Sequence, residues 1–210
     1  MGLSIPRLYA IIDPARTGSI LPAVVARELA SAGVRLIQFR DKHAPSRQLY
    51  EVCIELKELL RGSGCSLIVN DRADVARAMN ADGVHLGQYD LPVEMARRIL
   101  APEQWIGCST HSLDQVIAAD RTTADYVAFG PVFPTTSKEN PDPVVGLAGL
   151  REARRATRKA LVAIGGINLG NAGEVLAAGA DSVAVIGDLL NAQDIQERAR
   201  EFLSALGSGY

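Results

Sequence analysis

The sequence predicts an α/β fold, a single-domain (β/α)8 (TIM) barrel spanning residues 1–210. Three observations predict it. Short apolar strand patterns alternate with amphipathic helical patterns through eight units, and each helix supplies the crossover that a parallel strand pair requires. The same helix-to-strand turn recurs as Ala81-Asp82-Gly83-Val84, Ala124-Asp125-Tyr126-Val127 and Ala180-Asp181-Ser182-Val183, each leading into an apolar run. The turn after the first strand, Asp13-Pro14-Ala15-Arg16, lacks the GxGxxG that usually opens a doubly wound sheet, the competing architecture. With 210 residues the chain lies at the short end of the barrel's usual size range.

Taken in order, the strands are expected near Leu8–Ile12, Val34–Gln38, Ser66–Val69, Gly83–Leu86, Trp105–Gly107, Tyr126–Phe129, Leu161–Ile164 and Ser182–Ile186, each a short apolar run of the kind that is buried on both faces. The helical patterns between and after them cover Leu21–Ala32, Arg47–Arg61, Ala73–Asn80, Pro92–Leu100, Leu113–Ala119, Leu147–Lys159, Asn171–Ala178 and Asp194–Leu206. Gly130-Pro131 stops the sixth strand abruptly, and Ser112 is placed to cap the fifth helix. No linker or second domain interrupts the series.

Nearly half the chain is hydrophobic (48%), enough for a substantial core. A net charge of −2, with Lys and Arg spread along the chain, gives no bulk attraction to nucleic acid. Cys53, Cys65 and Cys108 show neither a CxxC pair nor metal-ligand spacing, which favours reduced thiols, with Cys53 in the core. The start, Met-Gly-Leu-Ser-Ile-Pro, lacks the pattern of a signal peptide, and no apolar run is long enough to cross a bilayer. The expectation is a soluble, cytoplasmic protein that acts on small molecules and engages neither nucleic acid nor membrane. Many barrels pair through helix faces, so a homo-oligomer is compatible with the pattern, although no face is singled out.

A barrel concentrates its chemistry in the loops after the C-terminal ends of the strands, and polar residues collect there. Gln38, Arg40 and Lys42 follow the second strand at alternate positions, so they point one way, with Phe39 opposite. One amide and two cations facing together suit a polyanion; the alternative is a salt-bridge strip with Asp41. Asn70-Asp71-Arg72 follows the third strand, and His85-Leu86-Gly87-Gln88-Tyr89-Asp90 continues the fourth. Asp71 and Asp90 on adjacent loops could hold Mg²⁺ with substrate phosphates completing its shell, or could each cap a helix. His85, on a strand, reads as a packed or hydrogen-bonding residue.

Gly107-Cys108-Ser109-Thr110-His111 follows the fifth strand without a GxSxG elbow or an evident acid, so Ser109 reads as a hydrogen-bond donor rather than a nucleophile. Nothing nearby activates Cys108. After the sixth strand, Thr135, Thr136 and Ser137 precede Lys138, and three hydroxyls beside an ammonium can wrap a phosphate or pyrophosphate; the alternative for the segment alone is a polar loop with a Pro-rich turn. Gly165-Gly166 after the seventh strand and Gly187 after the eighth let backbone N–H groups approach a phosphate.

QFRDK, NDR, GVHLGQYD, GCSTH, GPVFPTTSK and VAIGGI occur in this order on successive strands. Together they closely resemble the thiamine-phosphate synthases, within the thiamine monophosphate synthase and thiazole tautomerase superfamily, across essentially the whole chain. The resemblance implies that 4-amino-2-methyl-5-hydroxymethylpyrimidine diphosphate is joined to thiazole phosphate, giving thiamine phosphate and pyrophosphate. It implies a transferase using Mg²⁺ and a dissociative path in which pyrophosphate leaves before the thiazole nitrogen captures the pyrimidine cation. By motif, Gln38, Arg40, Lys42 and Asn70 would hold the pyrimidine diphosphate and Asp71 and Asp90 would bind Mg²⁺. Ser109 would contact the diphosphate and Lys138 would grip the leaving pyrophosphate, so Lys138, Arg40 and Ser109 form the implied catalytic set. Thr135, Ser137 and backbone groups at Gly166, Ile186 and Gly187 would meet the thiazole phosphate.

Two positions depart from the family pattern. Ser137 stands where threonine is common and keeps the hydroxyl; Gly187 stands where some members carry serine, so that phosphate hydrogen bond is either missing or left to the backbone. A tautomerase relative shares the SxH element, here Ser109 and His111, but usually lacks the PTxTK pattern and part of the diphosphate and metal set. A non-catalytic phosphate-ligand sensor on a retained barrel is the other alternative. If Lys138 grips the leaving group, Lys138→Ala should reduce turnover severely while circular dichroism shows the fold retained. Near-normal turnover in that variant removes the role.

Overall fold

The structure, a computed structural model, describes residues 3–136 and 142–207. Among these, eight parallel strands close into a barrel in sequence order: β1 (Leu8–Ile12), β2 (Leu36–Phe39), β3 (Ser66–Asn70), β4 (Gly83–Leu86), β5 (Trp105–Thr110), β6 (Tyr126–Phe129), β7 (Ala160–Ala163) and β8 (Ser182–Val185). The ring closes where β8 pairs with β1 through Leu8↔Val183, Tyr9↔Ala184 and Ala10↔Val185. The strands are linked by α1 (Pro22–Ala32), α2 (Ser46–Leu60), α3 (Ala73–Ala78), α4 (Val93–Ile99), α5 (Leu113–Asp120), α6 (Gly146–Ala156) and α7 (Ala172–Ala177), and β8 is followed by α8 (Gly187–Leu190) and α9 (Ile195–Leu206). The barrel expected from the sequence is therefore the fold. None of these helices is long and apolar enough to cross a membrane.

Period-two alternation sorts each strand into two apolar layers. Leu8, Ala10, Ile12, Ile37, Phe39, Leu67, Val69, Val84, Val127 and Leu161 pack outward against the helices. Tyr9, Ile11, Leu36, Ile68, Tyr126, Ala128, Val162 and Ala184 fill the interior. The two tyrosine rings meet edge-on there, with centroids 6.1 Å apart. Room for Tyr126 comes from Gly107 on the neighbouring strand: a Cβ at that position would lie 2.0 Å from Tyr126 Cζ.

The recurring Ala-Asp turn has a physical basis. Asp82, Asp125 and Asp181 each donate a backbone N–H to a carbonyl of the preceding strand, at Leu67, Ile106 and Leu161. Each carboxylate then accepts the N–H of that same residue, at 2.7, 2.7 and 2.8 Å. One aspartate thus fixes the start of a strand to its neighbour by two hydrogen bonds, at the end of the barrel away from the loops that follow the strands.

The observed elements differ from the expected ones in places. β5 runs on to Thr110, because Ser109 and Thr110 pair with Ala128 and Phe129; Ser109 is a strand residue, not a loop residue. β3 likewise includes Asn70. Helix α6 stops at Ala156, where Thr157 turns extended and its hydroxyl bonds the Asp120 carboxylate. The four-residue α8 was not expected, being too short to show helical periodicity.

Candidate active site

The inward positions change character towards the C-terminal ends of β1 to β5. Below them lie Tyr9, Leu36, Ile68 and Tyr126; above them come Asp13, Gln38, Arg40, Asn70, His85 and Ser109. The strand pattern that fills the core thus delivers these polar groups to one mouth. Gln38, Asn70 and His85 are buried there, and Arg40 and Ser109 are partly exposed.

Arg40 forms an ion pair with buried Asp13, and its backbone N–H bonds Ile12 at 2.9 Å. The other Asp13 oxygen accepts from Ala15 at 3.0 Å and so anchors the short 3₁₀ turn Pro14–Arg16. Asp41 is not the partner of the cationic strip: its carboxylate accepts from His43 and Ala44 within its own loop. The guanidinium carries five N–H groups, and one carboxylate cannot use all of them, so an oriented Arg40 retains donors for an anion.

Lys42 reaches Asp71, with 3.4 Å between Nζ and Oδ2. Asp71 sits at φ 63°, and its N–H donates to the His85 carbonyl at 2.8 Å, which fixes the loop after β3 onto β4. Neither aspartate caps a helix. Arg72 occupies the capping position of α3 and Pro92 that of α4, while Asp90 accepts from Gly87 N at 2.6 Å. Burial pushes the Asp71 carboxyl up to about 6; a hydrogen bond with Asp90 adds to the rise, and Lys42 offsets part of it. The Asp71 carboxyl, with Asp90 beside it, offers an oxygen pair that a hard divalent cation can satisfy. Among the described residues there is no group of three or more His, Cys, Asp or Glu that could hold a metal, so such a cation would take its other ligands from substrate and water.

A hydrogen-bonded chain crosses the barrel beneath the mouth. Gln38 Nε2 donates to the Tyr9 hydroxyl at 2.8 Å, and the Tyr9 and Tyr126 hydroxyls are 2.9 Å apart. Tyr126 meets His85 Nδ1 at 3.0 Å, and His85 Nε2 meets Ser109 Oγ at 2.9 Å. Gln88 Nε2 donates to the Ser109 carbonyl at 2.6 Å. His85 is thus the hydrogen-bonding residue expected. Cys108 points the other way, into the helix layer, and burial pushes its thiol up to about 11, leaving it un-ionised at neutral pH. His111 places Nδ1 2.5 Å from the Gly130 carbonyl and Nε2 3.4 Å from Asp142.

The loops after β6, β7 and β8 form the other half of the mouth. Val132 N and Phe133 N donate to Ile164 and Gly165 carbonyls at 2.9 and 3.1 Å, so the loop after β6 lies flat on the loop after β7. Gly166, at φ 67°, makes this approach feasible; a Cβ there would sit 2.5 Å from the Pro134 carbonyl. Asp188 accepts from Leu169 N at 2.8 Å and ties the loops after β7 and β8 together. Arg16 donates to the Thr136 carbonyl, joining the loop after β1 to this half. Thr135, Gly166, Ile186 and Gly187 therefore belong to one loop cluster, and Gln38, Arg40, Lys42, Asn70, Asp71, Asp90 and Ser109 to the β2–β5 side. Ser137 and Lys138 lie outside the described residues.

Sequence reasoning missed Asp13, Tyr9, Tyr126 and Asp188. Asp13 carried a signal, being the residue directly after the first strand. The tyrosines carried none, because their partners lie far away in sequence.

The raised Asp71 carboxyl has a consequence for stability. The folded state holds this proton more tightly than the unfolded chain, so the stability it contributes is full at low pH and is lost as pH rises from the ordinary 3.8 to about 6. Asp71→Asn removes that loss. In the presence of chelator, the Tm of the variant should gain on that of the native chain across this window and level off above it. A difference in Tm that does not change with pH contradicts the shift.

The sequence pattern of the thiamine monophosphate synthase family matches residues 8–189. The chain is 49% identical to a thiamine-phosphate synthase of Koribacter versatilis, with 99% of each chain covered. It is 42% identical to a thiamine-phosphate synthase of Methanocella arvoryzae, over 97% of this chain and 95% of the relative. The solved thiamine phosphate pyrophosphorylase from Pyrococcus furiosus has a TM-score of 0.86 at 40% identity, covering 95% of both chains. The family pattern runs from β1 into α8 and the relatives align almost end to end, so this barrel belongs to the thiamine monophosphate synthase family.

Proposed function

We propose that the chain acts as a thiamine-phosphate synthase, a transferase that joins 4-amino-2-methyl-5-hydroxymethylpyrimidine diphosphate to thiazole phosphate and releases pyrophosphate. The observation that carries this reading is the two-sided mouth. The β2–β5 side gathers Arg40, Lys42, Ser109 and the carboxyl pair Asp71 and Asp90, and the β6–β8 loops bring glycine-lined backbone opposite them. Two substrates that react with each other, both phosphorylated, need two such half-sites facing one space.

On this reading Gln38, Arg40, Lys42 and Asn70 hold the pyrimidine diphosphate, with Ser109 donating to it. Thr135, Ser137 and the backbone at Gly166, Ile186 and Gly187 receive the thiazole phosphate. Lys138 and Arg40 stabilise the negative charge that grows on the departing pyrophosphate as the C–O bond breaks. Asp71 and Asp90 hold Mg²⁺, which when bound neutralises diphosphate charge. The thiazole nitrogen then attacks the pyrimidine methylene carbon, a step that asks for positioning rather than a protein base. The buried, un-ionised Cys108 is consistent with chemistry that has no protein nucleophile. The three buried, unpaired cysteines and the small net charge suit a cytoplasmic enzyme with small-molecule partners and no nucleic acid.

The test is incubation of the purified protein with both substrates and Mg²⁺, following thiamine phosphate and pyrophosphate together. Equal amounts of both products are expected, with formation abolished by EDTA and restored by Mg²⁺. Isomerisation of a thiazole carboxylate phosphate without coupling would make the protein a tautomerase, and ligand binding without either reaction would make it a sensor.

A further inference from the structure

We propose that Tyr9, Tyr126 and His85 are positioning residues that fix the Ser109 hydroxyl as a hydrogen-bond donor to the ligand in the mouth. The chain Gln38–Tyr9–Tyr126–His85–Ser109 has four consecutive contacts of 2.8 to 3.0 Å. Its middle members are buried, so their hydroxyl hydrogens have few places to go. Burial also pushes both phenols above their ordinary range, so each keeps its single hydrogen across the working pH range.

The direction follows from one end. An amide nitrogen only donates, so Gln38 Nε2 makes the Tyr9 oxygen an acceptor. The Tyr9 hydrogen is then left for the Tyr126 oxygen. The Tyr126 hydrogen goes to His85 Nδ1, which must be unprotonated to accept it. A neutral imidazole with Nδ1 bare carries its hydrogen on Nε2, which donates to Ser109 Oγ. Because Ser109 accepts from His85, its own hydrogen is free to turn towards the mouth. An amide turned the other way at Gln38 would reverse every link and aim the serine hydrogen at His85, leaving only lone pairs to meet an anion. The orientation of one buried amide thus decides whether Ser109 attracts or repels a phosphate oxygen.

The chain is built into the barrel rather than incidental to it. Gly107 leaves the space that the Tyr126 ring occupies; a Cβ there would lie 2.4 Å from the hydroxyl oxygen. Tyr126 also stacks on the His85 ring, with centroids 5.6 Å apart. The catalytic consequence rests on the reading that Ser109 contacts the diphosphate, whereas the orientation itself does not.

The primary measurement is long-range ¹H–¹⁵N NMR on the full chain labelled at histidine, with the His85 signals assigned by their loss in His85→Asn. A neutral ring with hydrogen on Nε2 and Nδ1 bare is expected. Hydrogen on Nδ1 overturns the proposal. In turnover, Tyr126→Phe is expected to lower kcat by about ten- to a hundredfold with little change in KM, and Ser109→Ala by a similar factor. The double variant is expected to be no worse than the poorer single, since both remove one donor. Tyr9→Phe, which leaves Tyr126 able to donate to His85, is expected to lose less than Tyr126→Phe. Losses that multiply in the double variant overturn the proposal. Where Tyr126→Phe does not fold, the NMR result on the native chain decides. Full activity in Ser109→Ala together with hydrogen on Nε2 would end the diphosphate role of Ser109 and leave the orientation standing.

Discussion

A closed parallel barrel gives each strand two covered faces, one against the helices and one against the barrel interior, and both must be filled without orphaned polar groups. Here the residues filling the interior include two tyrosines among aliphatic side chains, and that choice has consequences. A buried phenol requires a partner for its hydroxyl. Tyr9 and Tyr126 satisfy each other, and their remaining capacity is taken by Gln38 on one side and His85 on the other. The packing of the barrel interior is therefore continuous with the polar floor of the mouth. Glycine at position 107 is the small residue that lets the arrangement close.

Charge in the mouth is arranged in neutralising pairs. Arg40, largely buried, is held by buried Asp13, which avoids the large desolvation penalty of a lone cation, whereas the half-exposed Lys42 lies 3.4 Å from Asp71. The Asp13 pair also fixes Arg40 in place before a ligand arrives, and a pre-oriented donor needs less ordering on binding. Asp71 and Asp90 invert this pattern. Burial and the neighbouring Asp90 raise the proton affinity of the Asp71 carboxyl, an arrangement that is unfavourable for its charged form and that a cation would relieve. On the proposed function, this strain is relieved when diphosphate and metal enter together.

Much of this was legible in the sequence because the determinants are local. Strands buried on both faces read as unbroken apolar runs, and the Ala-Asp turns before β4, β6 and β8 repeat because one aspartate does the same bonding in each. Gln38 and Arg40 were identifiable because alternation places them inward at a strand end, and Asn70 and Ser109 because they follow apolar runs in the polar segments at the mouth, although both prove to be strand residues. The end of β5 was misread because small and polar residues interrupt its apolar run where it enters the mouth. α8 was missed because four residues make barely one turn. The buried chain was invisible for another reason: Tyr9 and Tyr126 stand 117 positions apart, and only closure of the barrel brings their hydroxyls together.

The barrel's alternation places one polar mouth at the C-terminal ends of the strands, and the proposed function assigns the diphosphate to its β2–β5 side and the thiazole phosphate to the loops after β6–β8. A crystal structure of the protein with thiamine phosphate, pyrophosphate and Mg²⁺ tests this division most directly. Pyrophosphate should lie against Arg40, Ser109 and the Asp71–Asp90 pair, and the phosphate of thiamine phosphate against Gly166 and Gly187. Both anions on the same half, or products bound at the opposite end of the barrel, would contradict it.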